Sequence, residues 1–249
     1  MSPRKTNAIV LKTYDYGETS CILHLFSQEF GSVRGIAKGI KGRKGCAVPE
    51  RGCIINALAY VRPHRELHTL GDLSLSRVYP SIRSDLLKTA MRDMVFEIII
   101  KSVLHTEANQ QLFVAIGTFL EELEQCSSTQ RFPFAVWDFV VTFAGMQGFA
   151  IDFDTCVVCQ KPLGADSGGE LRYSVGGCAC DGCATKSPRY LPSPALAYVA
   201  RSAEASKQGP KLSPSALRAI TRSLVGYCSY HFDIATDFQA LPFLEELIT

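Results

Sequence analysis

No uncharged apolar run in this 249-residue chain reaches 18 residues, so no helical membrane span is expected. The start, Met1-Ser-Pro-Arg-Lys-Thr, runs directly into a strand-like Ala8-Ile-Val-Leu11, with no apolar h-region or cleavage site. That argues against secretion, and hence against disulfides as the use of ten cysteines. A cytosolic chain with reduced thiols is the simpler expectation. The five histidines form no HExxH pair, no glycine placement matches GxxxxGK[ST], and no nucleophile elbow or Ser–His–Asp order stands out. The chain is therefore not expected to be an enzyme, and no catalytic residue is assigned.

What is present is organised around four cysteines. Cys156-Val-Val-Cys159 is followed, twenty residues later, by Cys180-Asp-Gly-Cys183. Two CxxC pairs at this separation are the sequence form of a four-thiolate zinc site. Each pair sits on a tight turn that aims two sulfurs at one point, and two such knuckles complete a tetrahedral shell. A closed shell leaves no position for water, so one structural zinc ion is expected. A fifth thiol, Cys178, leaves a second pairing open, Cys178 with Cys183; the CxxC spacing favours Cys180. The remaining cysteines, Cys21, Cys46, Cys53, Cys126 and Cys228, are dispersed and read as small apolar residues.

Charge is unevenly spread. Residues 1–80 hold 12 Lys/Arg against 6 Asp/Glu, a net of +6, whereas residues 81–150 carry −3 and residues 151–249 carry −1. The basic segment reads as short strands, with candidates at 7–13, 21–27, 32–37, 53–61 and 73–79. Five strands in about 80 residues suit a small closed barrel of the OB type, which commonly binds oligonucleotides. Its third strand leads into Lys38-Gly-Ile-Lys-Gly-Arg-Lys44, and no acid lies between Glu29 and Glu50. Arg34, Lys38, Lys41, Arg43 and Lys44 are the candidate DNA-binding residues, placed to follow a phosphate backbone without reading bases.

From Ser84 the hydrophobic period becomes helical. Leu86, Leu87, Ala90, Met91, Met94, Val95, Ile98 and Ile99 form one stripe, with Ser84 as the expected N-cap. Further helices are expected over 109–125, 134–146, 192–204, 213–232 and 242–248. The fold class is therefore α+β and multidomain. An OB barrel (1–80) precedes a helical domain (81–150 and 188–249) that carries an inserted zinc module (151–187).

Taken in order, the chain resembles the RecO family of DNA repair proteins. The carrying residues are Tyr16-Gly17-Glu18, Leu25-Phe26-Ser27, Glu29-Phe-Gly31, Ala37-Lys38-Gly39, Arg43-Lys44, the helix from Asp85, Asn109…Leu112-Phe113, and the cysteine insert preceded by Gly176-Gly177. The resemblance implies a bacterial, cytoplasmic and nucleoid-associated recombination mediator of the RecF pathway. Such a protein binds single- and double-stranded DNA and anneals complementary strands. It acts with RecR and the single-strand-binding protein, helping RecA load on coated DNA. The acidic C-terminal tail of single-strand-binding protein is then expected to dock on the long helix. There Met91, Met94 and Val95 would supply an apolar pocket and Lys88, Arg92 and Lys101 its cations. The alternatives are a zinc-ribbon nucleic-acid-binding accessory protein of transcription or replication, and an enzyme on a zinc-stabilised scaffold.

Overall fold

The computed structural model describes residues 3–42, 47–62, 65–103, 108–126, 132–164, 166–185, 187–201 and 209–248. It forms two compact units, Met1–Arg83 with Val103–Glu124, and Ser84–Ser102 with Gln125–Thr249. Among the described residues no helix is long and apolar enough to cross a membrane.

The first unit is built on a closed five-stranded barrel. Its strands are β1 (Arg4–Tyr16), β2 (Ser20–Ser27), β3 (Gly31–Ala37), β4 (Ile54–Tyr60) and β5 (Leu67–Arg77), in the order β1-β2-β3-β5-β4. All neighbours are antiparallel except β3 and β5, whose parallel pairing closes the sheet and leaves no free edge. This is the connectivity of an OB barrel. Period-two alternation sends Ala8, Val10, Leu23, Leu25, Val33, Ala37, Ile55, Ala57 and Leu70 into the interior. Gly35 faces the same interior, where a Cβ would lie 2.5 Å from Leu70 Cγ; glycine is the residue that lets Leu70 fill the barrel.

Strand β5 begins six residues earlier than expected from the sequence. Gly71-Asp72, just before the expected start, is a bulge within the strand. Asp72 takes φ 43° and the β4–β5 register shifts between Asn56 and Leu58. The bulge hides the continuity of Leu67–Leu70 with the rest of the strand.

Two helices complete this unit: α1 (Pro80–Ser84) and α3 (Gln110–Gln125), the latter following α2 (Leu86–Ser102) in the chain. Glu124 accepts hydrogen bonds from the backbone N–H groups of Ser81 and Ile82 (2.9 and 3.0 Å), capping α1, and Arg77 pairs with Glu121. These contacts fasten α3 to the residues that follow β5, and α3 falls within the barrel's unit rather than with the other helices.

The second unit packs α2 against α4 (Phe132–Met146) and α7 (Ala240–Leu247), and α4 against α5 (Ser193–Val199) and α6 (Pro214–His231). Helix α2 is capped by Asp85, not Ser84. Asp85 Oδ1 accepts from the N–H groups of Leu87 and Lys88 (2.9 and 3.1 Å), while Ser84 closes α1. Ser213 caps α6 as the sequence indicates, with Pro214 in the first turn. Glu97 of α2 caps α7 through the N–H groups of Gln239 and Ala240. Trp137 of α4 is fully buried and donates its Nε1–H to Thr221 Oγ1 of α6 at 2.8 Å.

A three-stranded sheet of β6 (Gly169–Arg172), β7 (Gly177–Cys180) and β8 (Tyr190–Leu191) lies in the same unit, ordered β7-β6-β8. The 3-10 turn Tyr173–Val175 ties it to α6. Tyr173 donates its hydroxyl to Ser223 O at 2.7 Å, and His231 Nε2 contacts Tyr173 O at 2.8 Å.

Candidate metal centre and nucleic-acid interface

The candidate metal centre is formed by two turns, one before β6 and one after β7. The first knuckle lies in the segment before β6. Cys156 N donates to Lys161 O, and Gln160 N to Cys156 O, with Gln160 in the left-handed region at φ 60°. The second knuckle continues β7, with Cys183 N donating to Cys180 O at 2.8 Å. The knuckles meet because Gly177 has no side chain. A Cβ there would lie 2.6 Å from Val157 Cγ1 of the first knuckle.

The four sulfurs of Cys156, Cys159, Cys180 and Cys183 all lie within 4.8 Å of one another. Cys159 Sγ and Cys180 Sγ are 3.8 Å apart. A tetrahedron with zinc–sulfur arms of about 2.3 Å has edges of about 3.8 Å, so this pair is already at the spacing a zinc ion requires. Cys180 N also donates to Cys156 Sγ at 3.3 Å, a charge-assisted bond once that sulfur is a thiolate.

Electrostatics point the same way. Burial raises the Cys156 thiol, but backbone N–H donors from Cys159, Cys180 and Val158 outweigh it and bring its pKa down to about 6. Cys183 is pushed up to about 12, chiefly by its contacts with the Cys180 and Cys159 thiols. Four clustered thiols cannot all ionise beside one another; a divalent cation removes that conflict. Behind the sulfurs, the fully buried Glu170 accepts from the Thr185 hydroxyl and N–H and faces Arg172 at 3.4 Å, fixing the chain just after Cys183.

The fifth thiol is separate. Cys178 lies on β7 opposite Leu171, fully buried, and burial holds its pKa at about 12. It packs as a small apolar side chain outside the four-sulfur cluster.

The expected DNA-binding residues fall on and just beyond β3. Arg34 and Lys38 are exposed, and among the described residues neither is in an ion pair. Lys41 follows on the 3-10 turn Ile40–Gly42 and is already paired with Asp15 at 2.6 Å. Arg43 and Lys44 lie outside the described residues. Arg34 stands in a cross-strand row, Lys12–His24–Arg34, on the outer face of β1, β2 and β3. His24 is buried in that row. Its pKa is lowered to about 4 by burial first, and then by the charges of Arg34 and Lys12. Lys12 is a cation the charge pattern of the basic loop does not reveal; its place in the row depends on the β1 bulge between Val10 and Lys12.

A groove of about 500 Å³ elsewhere on the barrel is lined by Lys5, Asn7, Asn56 and Ser74 with the carboxylates Glu29 and Asp72. Two acids against one lysine suit a phosphate backbone poorly.

Among the described residues, the α2 side chains expected to line a peptide pocket are buried. Met91, Met94 and Val95 are fully buried and belong to the helical core, and Lys88 is buried beside them. Arg92 contacts Asp93 at 2.9 Å, and Lys101 is held by Glu97 and Asp237. The apolar stripe lies on a helix that packs against both α4 and α7, which places these side chains in the helical core.

An OB-type barrel with exposed Arg34 on its outer face, followed by helices and a cluster of four thiols arranged to hold a metal ion, is an arrangement suited to binding nucleic acid. The family follows from sequence comparison. Residues 1–79 match the model described as "Recombination protein O N terminal" and residues 83–236 match "Recombination protein O C terminal". The chain belongs to the RecO family. Relatives include the DNA repair protein RecO of Geobacter metallireducens, 29% identical with 99% of each chain covered. That of Anaeromyxobacter dehalogenans is 27% identical over 99% of this chain and 98% of the relative. That of Bacillus pumilus is 28% identical over 79% and 75%.

Proposed function

We propose that this chain is a DNA repair mediator of the bacterial cytoplasm and nucleoid. It binds single- and double-stranded DNA without reading sequence and anneals complementary strands. With RecR, it helps RecA load on DNA coated by single-strand-binding protein. The observation that carries the reading is exposed Arg34 on the outer face of an OB-type barrel and exposed Lys38 just beyond β3, neither in an ion pair among the described residues, in a chain of the RecO family. Cations on one face neutralise two phosphate backbones at once and lower their mutual repulsion, so complementary bases meet more often. No covalent bond changes, and no catalytic residue is required.

The thiol cluster supports one zinc ion held by Cys156, Cys159, Cys180 and Cys183. Four protein ligands leave it no open position, so zinc supplies folding free energy to its module rather than chemistry. The tail of single-strand-binding protein remains a proposed partner, docked elsewhere than on Met91, Met94 and Val95.

The test is annealing of protein-free complementary oligonucleotides, followed by fluorescence quenching. The reading expects acceleration at stoichiometric protein. A zinc-ribbon accessory protein or an enzyme would bind or turn over without accelerating annealing, and that result would replace the mediator reading.

A further inference from the structure

The outer face of the barrel carries a second feature beside the cations. Lys12, Tyr14 and Tyr16 alternate along β1, so all three side chains stand on the outer face. Tyr14 is 39% exposed and Tyr16 53% exposed. The two positions are about 7 Å apart along the strand. Each row continues across the sheet. Lys12 leads to His24 and Arg34, Tyr14 leads to Ile22 and Ile36, and Tyr16 lies opposite Ser20. The Tyr14 ring thus borders half-buried Ile22 in one row, with buried Ile36 beyond it, and cations stand in the row beside it. Lys12 Nζ already sits 4.9 Å from the centre of the Tyr14 ring.

Single exposed aromatics are ordinary on protein surfaces. Two on one face of one strand, beside a row that holds Lys12 and Arg34, are a combination suited to single-stranded nucleic acid: rings for bases and cations for the backbone. A duplex hides its base faces and cannot use the rings. Asp15 and Glu18 are exposed near the same end of β1, and the pairing of Asp15 with Lys41 offsets one of those charges.

We propose that Tyr14 and Tyr16 form a base-stacking platform that makes the barrel prefer single-stranded nucleic acid, with Lys12 and Arg34 holding its backbone. The proposal rests on the DNA-binding reading above and deepens it. Unstacked bases laid on the rings are also bases held open for a complementary strand.

The experiment compares wild type with Tyr14→Ala, Tyr16→Ala, the double variant and Tyr14→Phe/Tyr16→Phe. Each is titrated against labelled oligo(dT), a fully abasic strand of equal length and a blunt duplex. Loss of one stacked base weakens binding by about ten- to a hundredfold. The double alanine variant is expected to lose at least that for oligo(dT), and to keep wild-type affinity for the abasic strand and the duplex. The phenylalanine variant is expected to bind like wild type. Thermal unfolding of the alanine variants checks that the barrel is intact; these exposed positions predict little change. Equal oligo(dT) affinity in wild type and the double alanine variant overturns the platform and leaves the cation face standing. Equal loss on all three probes also overturns it, because stacking cannot act on an abasic strand. Failure of the wild type to bind any probe overturns the DNA-binding reading itself.

Discussion

Cys159 Sγ lies 3.8 Å from Cys180 Sγ, although twenty residues separate the two. The contact joins the two knuckles, and it depends on β7 lying against the segment that holds Val157. Metal binding by these thiols is therefore expected to be coupled to folding of the module.

The first prediction follows from that contact. Wild type carries one zinc per chain, Cys180→Ser loses it, and Cys178→Ser retains it, as read by elemental analysis of the purified proteins. Chelation of the metal speeds hydrogen exchange across 150–190 and leaves the barrel strands protected. Zinc retained in Cys180→Ser and lost in Cys178→Ser would reverse the ligand assignment.

His24 gives a pH prediction. Its folded pKa, about 4, lies below the ordinary value of 6.5. The unfolded chain therefore binds the proton first as pH falls. The stability His24 contributes is complete above about pH 6.5 and is lost progressively down to about pH 4. The full shift corresponds to about 3 kcal/mol. Chemical denaturation at pH 7.5 and pH 5 should show a clear loss in wild type and a smaller one in His24→Gln. Equal losses in the two proteins would place the acid sensitivity elsewhere.

The α2 stripe gives a packing prediction. Met94 is fully buried, so Met94→Ala should cost about 2–5 kcal/mol in denaturant unfolding. Thr221→Val leaves the buried Trp137 Nε1–H without its acceptor and should cost about 1–3 kcal/mol. A Met94→Ala protein of wild-type stability would mean that this methionine faces a surface.

Much of this architecture is legible in the sequence, because each legible part is encoded locally. CxxC spacing marks the knuckles, period-two alternation marks β1 to β4, and Ser213-Pro214 marks the start of α6. What was not legible depends on contacts distant in sequence. The start of β5 is concealed by the Asp72 bulge, and whether the α2 stripe is groove or core is decided by α4 and α7. The outer-face row of Lys12 with Arg34 depends on the register of three strands. The alternation Lys12-Thr-Tyr14-Asp-Tyr16 is the one local signal that points to the tyrosine face, and it falls at the end of a strand otherwise read for its core.

The central claim is that Arg34 on the barrel's outer face and Lys38 just beyond β3 hold a phosphate backbone. It is tested most directly by the salt dependence of single-strand binding in wild type and in Arg34→Ala/Lys38→Ala. Each lost phosphate contact on a single strand removes about 0.7 from the slope of log affinity against log salt. The double variant should bind every sequence more weakly and show a slope shallower by about 1.4. An unchanged affinity and slope would contradict the claim and move the DNA path off this face.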